Sequence, residues 1–328
     1  SSAASDVYKR QDLGFVLFTL NSYNLYQGKS KIMIHDKVSI IRDAIGHSPR
    51  WYKKDNYFYI KNSTLFMKKL GDVNEEEIAH NVVYYDISKN GHTVIVSSLG
   101  IQKPTGFVKE RIGVMDGIGP LFKESIPRKI LKTKNIEDNG WITNAIISET
   151  GKVAYTKVSS LGPIKQKIYV DGEPIKEITG FVSEMIWVDK KIAAIVTDLS
   201  KKGFFGKRDL IIMEENGDSE IVNVNGDPGD WTETYPGIDG ESLAFYKNKL
   251  YFLSTEGYKT VVRELDISSL EHRILLNGDR SIHGISASDY GLAFLWSDPH
   301  RSSVISIYKW DKEKEFEIAS ATRLPPVE

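Results

Sequence analysis

The chain has 328 residues, with 43 Lys and Arg against 44 Asp and Glu. Its formal charge of −1 offers no overall basic surface for nucleic acid, and 41% hydrophobic residues exclude wholesale disorder. There is no cysteine, which removes disulfides, thiol nucleophiles and thiolate metal sites; no apolar run approaches the ~18 residues of a membrane span.

At roughly 150 residues per domain, the length allows two ordinary domains or one large β architecture. The opening segment, 1–11, has no apolar periodicity that would fold onto a core. Its Asp6-Val7-Tyr8-Lys9-Arg10-Gln11 resembles the translation of an adapter used to build sequencing libraries. The segment is therefore expected to lie outside the fold, as an adapter-derived or disordered stretch. A native start with a signal peptide is then left open. At the other end, 321–328 reads as the start of a linker.

Ile (36) far outnumbers Ala (13), and Tyr, Phe and Trp add 16, 13 and 6. β-branched and aromatic residues favour strands, whereas Ala would favour helices. Gly14–Leu20, Lys31–His35, Tyr57–Lys61 and Thr64–Leu70 read as strands between polar turns. The turns then recur. Val82-Val83-Tyr84-Tyr85-Asp86-Ile87 enters a turn at Ser88-Lys89-Asn90-Gly91 and leaves as Thr93–Ser98. Asn144–Ile147, Ser148-Glu149-Thr150-Gly151 and Val153–Tyr155 repeat the pattern. Weaker copies turn at Asp189-Lys190-Lys191, Lys247-Asn248-Lys249 and Ser288-Asp289-Tyr290-Gly291.

With the turn at Lys53–Asn56, the starts fall at 53, 88, 148, 189, 247 and 288. A basal period near 40, with two longer intervals that can hold insertions, is the pattern of β-propeller blades. The chain is accordingly expected to be all-β, a seven-bladed β-propeller over 12–320. Its first unit, at 14–45, shows three strands and is expected to be incomplete at the inner edge. One four-stranded blade cannot bury both faces, but blades arranged radially bury each other. A β-sandwich or two stacked β-domains is the architectural alternative.

The aligned repeats resemble the N-terminal propeller of the prolyl oligopeptidase family, in its acylaminoacyl-peptidase-like branch. The last repeat, Ile282–Pro299 followed by Val304–Trp310, carries the resemblance most fully. Pro49-Arg50-Trp51 resembles the Pro-x-Trp that opens many of that family's blades. Lys109–Gly119 resembles a long inter-strand loop with Asp-Gly-x-Gly, here Asp116-Gly117-Ile118-Gly119. In that family an α/β-hydrolase domain follows the propeller and carries the Ser-Asp-His triad. No Gly-x-Ser-x-Gly elbow occurs in these residues. The resemblance thus implies a non-catalytic, substrate-gating propeller of a serine peptidase acting on short or N-acylated peptides. The triad would lie on a domain beyond Glu328, that domain would be the partner, and no cofactor would be required. It also implies a cytoplasmic protein that binds neither membrane nor nucleic acid, with self-association left open. The rival is a stand-alone propeller that scaffolds proteins, its seventh blade closed by strands from both termini. A channel enzyme such as a lyase or glycosidase would need carboxylates converging from inner strands, and those read as mostly apolar.

Several groups carry residue types that could form sites. Arg111 and Asp116, on the long loop, are the expected substrate contacts, Arg111 by gripping a carbonyl or carboxylate in bidentate fashion. Asp298, His300 and Ser302 hold triad residue types, but their closeness in sequence suits a turn better than a serial triad. Seven histidines (35, 47, 80, 92, 272, 283 and 300) include no pair at metal-ligand spacing. Glu75-Glu76-Glu77 could hold a peptide amino terminus and reads more readily as a solvated turn or edge strand. Asp227-Pro228-Gly229-Asp230 reads as a turn rather than a calcium loop. Lys201–Arg208, basic with Phe204-Phe205, reads as a hairpin loop rather than a single-strand binder. Trp231–Pro236 reads as a packed connection.

Overall fold

The β-branched and aromatic runs form antiparallel strands, and nearly every strand pairs with its neighbour in sequence. The structure, a computed structural model, describes residues 7–9, 16–22, 29–35, 40–52, 56–88, 90–98, 128–132, 139–140, 142–203, 206–229 and 241–320.

The first sheet is β1 (Val7–Lys9), β2 (Val16–Ser22), β3 (Lys29–His35) and β4 (Ile40–Ile45). The second is β5 (His47–Tyr52), β6 (Asn56–Lys61), β7 (Thr64–Lys69) and β8 (Glu75–Ala79). The third comprises β9 (Val82–Ile87), β10 (Thr93–Ser98), β11 (Arg128–Lys132) and β12 (Asn139–Gly140). A seven-stranded path follows: β13 (Ile142–Ile147), β14 (Val153–Leu161), β15 (Ile164–Val170), β16 (Glu173–Val188), β17 (Lys191–Asp198), β18 (Asp209–Met213) and β19 (Ser219–Val222). The 16-residue β16 divides it. Residues up to Thr179 pair with β15, and those from Gly180 onward pair with β17, giving a fourth and a fifth four-stranded sheet.

In the sixth sheet the inner strand is split into β20 (Asp227–Pro228) and β21 (Leu243–Tyr246), both paired with β22 (Lys249–Glu256). Outside them lie β23 (Lys259–Asp266) and β24 (His272–Leu276). The seventh sheet is β25 (Ser281–Ser288), β26 (Gly291–Asp298), β27 (Arg301–Lys309) and β28 (Lys314–Ser320). The described residues contain a single helical turn, α1 (Leu199–Lys202). The first, second, sixth and seventh sheets make one compact unit, and the third to fifth make another.

The first sheet therefore holds four strands where the sequence pattern points to three. Among the described residues β1 pairs with Val16–Phe18 of β2. β1 falls within the segment expected to lie outside the fold. Leu99-Gly100, Lys53–Asp55 and the expected linker at 321–328 lie outside the described residues.

Burial peaks in the second strand of a sheet, as in β6, β17, β22 and β26. β17 is buried on both faces from Ile192 to Thr197, as is β26 from Gly291 to Trp296, which explains their unbroken apolar runs. Phe252 and Phe294 are fully buried; burial of such a side chain contributes roughly 1.5–3 kcal/mol. The fourth strands β8, β19, β24 and β28 are more exposed and carry charged residues. Glu75, Glu76 and Glu77 lie along β8, where edge charge discourages pairing with another chain. The edge-strand reading of that run is the observed one. Glu75 also meets Lys61 Nζ at 2.9 Å. Burial works to raise its pKa, but hydrogen bonds from Tyr59 and Lys61 leave it lowered.

One hairpin recurs three times. Ser88 N donates to His92 O and Gly91 N to Ser88 O, both at 2.9 Å. Ser148–Lys152 and Glu214–Asp218 repeat both bonds, at 2.8 and 3.0 Å. The glycine of each turn has a left-handed φ of +80, +84 or +89°. This is a type I turn closed by a glycine bulge, and it accounts for the Gly at the same offset each time. The shorter loops at Asn62-Ser63 and Lys247-Asn248 have both residues at positive φ, as two-residue hairpins require.

Candidate functional site

The innermost strands share an irregularity that places polar side chains. Each should alternate regularly against its neighbour, yet five carry one extra residue near their start. The extra residue is Val83 in β9, Thr143 in β13, Ser183 in β16 and His283 in β25. In β5 it lies between His47 and Arg50, where Ser48 has a φ of +51°. In the sixth sheet, residues 229–242 intervene at the corresponding position, between Pro228 and Leu243. Bulges of this kind bend the strand and re-aim the side chains beside them.

In the unit formed by the first, second, sixth and seventh sheets, the bulged layer holds Arg50, Glu241 and His283. Arg50 Nη2 donates to Glu241 Oε1, joining residues 191 apart in sequence. The two side chains are 13% and 32% exposed, so the pair is partly withdrawn from water yet reachable. Glu241 is fixed by its backbone, whose carbonyl accepts from Ile285 N at 2.8 Å. His283 Nε2 lies 2.7 Å from Ser297 Oγ on the adjoining strand. Chemically this layer offers a guanidinium, a carboxylate and an imidazole: groups that hold carbonyls, carboxylates and amines.

The other unit presents a more neutral layer. Thr143 Oγ1 bonds Thr156 Oγ1, which also accepts from Asn144 N at 3.1 Å. Asn144 Nδ2 donates to Val182 O at 3.0 Å, and Gln166 Oε1 accepts from Val182 N at 2.9 Å. These bonds tie the fourth sheet to the fifth.

The expected substrate contacts, Arg111 and Asp116, lie outside the described residues. So do Phe204-Phe205, Asp230 and Trp231–Pro236. Of the other groups, Asp298 is a turn residue. It accepts from His300 N at 2.9 Å and from Arg301 Nη2 at 2.8 Å. Burial works to raise its pKa, but the Arg301 guanidinium and the His300 N–H hold it below the ordinary carboxylate value. Asp227 and Pro228 form strand β20 rather than a turn. In the basic run, Lys201 Nζ pairs with Asp198 at 3.2 Å, and Lys207 Nζ donates to Val224 O. Among the described residues no three His, Asp or Glu side chains group as a metal site.

Arg50 and Glu241 were not singled out as a pair by sequence. The available signal was weak: a charged residue inside Pro49-Arg50-Trp51, and an acidic one ending a long interval.

No protein-family model matches the chain, and no curated protein matches it in sequence. Solved structures do match. The acylaminoacyl peptidase of Pyrococcus horikoshii aligns over 98% of this chain and 52% of its own, at 13% identity and a TM-score of 0.67. The β-propeller domain of the Trilobed protease from Pyrococcus furiosus, which has an open velcro topology, aligns over 98% of this chain and 99% of its own. Identity there is 14% and the TM-score 0.68. A puromycin-hydrolyzing peptidase from Mycobacterium tuberculosis aligns over 99% of this chain and 55% of its own, at 11% identity and a TM-score of 0.68. The fold is thus a β-propeller, like the propeller domains of these peptidases. The chain spans about half the length of the two whole peptidases.

Proposed function

We propose that this chain is the substrate-gating propeller of a serine peptidase of the prolyl oligopeptidase family. The catalytic triad would be supplied by an α/β-hydrolase domain that follows in the same polypeptide, and short or N-acylated peptides would be its substrates.

The observation that carries this reading is topological. The seventh sheet is built from consecutive strands, β25 to β28, without a strand from the N-terminal region among the described residues. The scaffold alternative calls for a seventh blade shared between both ends of the chain. Antiparallel order also sets the end of the sheet at which β28 finishes. β28 ends at Ser320, at the same end of its sheet as the start of β25 and the turn between β26 and β27. A following domain would therefore begin beside the bulged layer with Arg50, Glu241 and His283. Those groups would line the approach to an active site they do not form. No helix among the described residues is long and apolar enough to cross a membrane. A cytoplasmic location is part of the same proposal.

The test is to read the gene beyond codon 328 and express the complete polypeptide. A Gly-x-Ser-x-Gly elbow, labelling of its serine by a fluorophosphonate, and hydrolysis of N-acylated tripeptides are expected. A stop codon shortly after Glu328 would overturn the reading and leave the scaffold. In the complete enzyme, Arg111→Glu should shift kcat/KM between acidic and neutral peptides by about tenfold, the scale of one lost charge-assisted contact. Unchanged ratios would remove Arg111 from the substrate path, and Asp116→Asn tests Asp116 in the same way.

A further inference from the structure

We infer that the Arg50–Glu241 ion pair is a clasp that holds the N-terminal and C-terminal sheets of their unit together. The need for a clasp follows from strand order. The first sheet is made of β1 to β4 and the seventh of β25 to β28, so no strand bridges them among the described residues. Their contact comes from β1, three residues long, which packs against β25 and β26 on one side and β5 on the other. Among the described residues no ladder of backbone hydrogen bonds crosses this seam, and such a ladder is what makes opening costly.

The pair straddles this seam. Arg50 belongs to the second sheet, and Glu241 leads into the inner strand of the sixth. The link thus passes over both the first and the seventh sheets. Glu241 is presented rigidly on the C-terminal side: its carbonyl accepts from Ile285 N at 2.8 Å, and that of Ser242 accepts from Leu253 N at 2.9 Å. Arg50 is presented from the N-terminal side by the bulge at Ser48, whose left-handed φ of +51° a serine adopts only under constraint from its surroundings. Partial burial keeps the attraction from being fully screened, unlike that of surface pairs. Removing one partner would leave the other charge partly dehydrated and without this counter-charge, which favours an opened seam.

Hydrogen–deuterium exchange of the chain, wild type against Glu241→Gln and Arg50→Met, tests this. Exchange in β2 and β25 should rise about tenfold in either variant, while β14 to β17 of the other unit stay unchanged. The double variant should exchange no faster than the singles, since both remove one interaction. The charge swap Arg50→Glu with Glu241→Arg should restore part of the protection. Raising salt should speed exchange at the seam in wild type and not in Glu241→Gln. Unchanged exchange in β2 and β25, or equal acceleration in all sheets, would overturn the clasp. Neither result bears on whether a hydrolase domain follows.

Discussion

Gly217 sits so close to Ile175 that a Cβ built on it would lie 2.1 Å from the Ile175 carbonyl oxygen. The third copy of the recurring hairpin is thereby pressed against the first half of β16, in the neighbouring sheet. The equivalent Gly151 has the His92 ring as its nearest neighbour, at 3.4 Å, an ordinary contact. Both glycines have left-handed backbones, so each loses conformational comfort on gaining a side chain.

The two should therefore respond differently to the same substitution. Gly151→Ala is expected to cost roughly 1 kcal/mol, the strain of a left-handed alanine. Gly217→Ala adds a backbone clash that only movement of a strand can relieve, and should cost ~3 kcal/mol or more. Urea midpoints of the two variants check this; equal shifts would show that the hairpin moves freely against β16.

The hairpins at Ser88–His92 and Ser148–Lys152 were legible in the sequence because a glycine bulge leaves a local signature; the third copy, Glu214–Asp218, carries the same glycine but was not read as one. The long interval before Lys247 likewise marked the insertion at 229–242. The passage of β16 from one sheet to the next was not legible. It turns on Gly180, with a φ of +140° and an imagined Cβ 1.9 Å from the Thr197 carbonyl oxygen. A lone glycine in an apolar run carries no sign of that crossing. The bulges were hidden for a related reason: an extra residue is extra only relative to the partner strand. The Arg50–Glu241 pair depends on strand order across 191 residues, which no local pattern encodes.

Asp266 offers a test on the acid side. Its carboxylate accepts from Lys249 Nζ at 2.7 Å and from Ser268 N at 2.8 Å, with Ser269 N at 3.3 Å. These bonds, the Lys249 ammonium first, lower its pKa from 3.8 to about 2. A carboxylate whose folded pKa is depressed stabilises the fold above its unfolded value and loses that contribution as pH falls through the folded one. Asp266→Ala should therefore lower the thermal midpoint at neutral pH. The difference from wild type should shrink below pH 3.8 and vanish near pH 2. A deficit that persists undiminished at pH 2 would mean the side chain acts through packing rather than charge.

On the alkaline side the sensitive point is the aromatic group around Trp310. Its indole stacks with Tyr246 at 6.0 Å and 4°, and packs against Tyr251 and Tyr308 at 5.3 and 5.8 Å. Trp310 Nε1 donates to Ser288 O at 2.7 Å, which seats the ring between the sixth and seventh sheets. All three phenols have raised pKa values, burial being the first cause in each. The neighbouring Glu264 carboxylate pushes Tyr251 further up, and the hydrogen bond to Asp289 does the same for Tyr246. A phenol with a raised folded pKa gives its full stabilisation below its unfolded value of 10.0 and loses it as pH climbs toward the folded one. The packing of the sixth sheet on the seventh should thus fail above pH 10, with a cooperative rise in tyrosinate absorbance rather than independent titrations. Tyr251→Phe keeps the ring, removes the acidic proton, and should move that transition to higher pH. Should Tyr251→Phe unfold at the wild-type pH, the alkaline limit is set elsewhere in the chain.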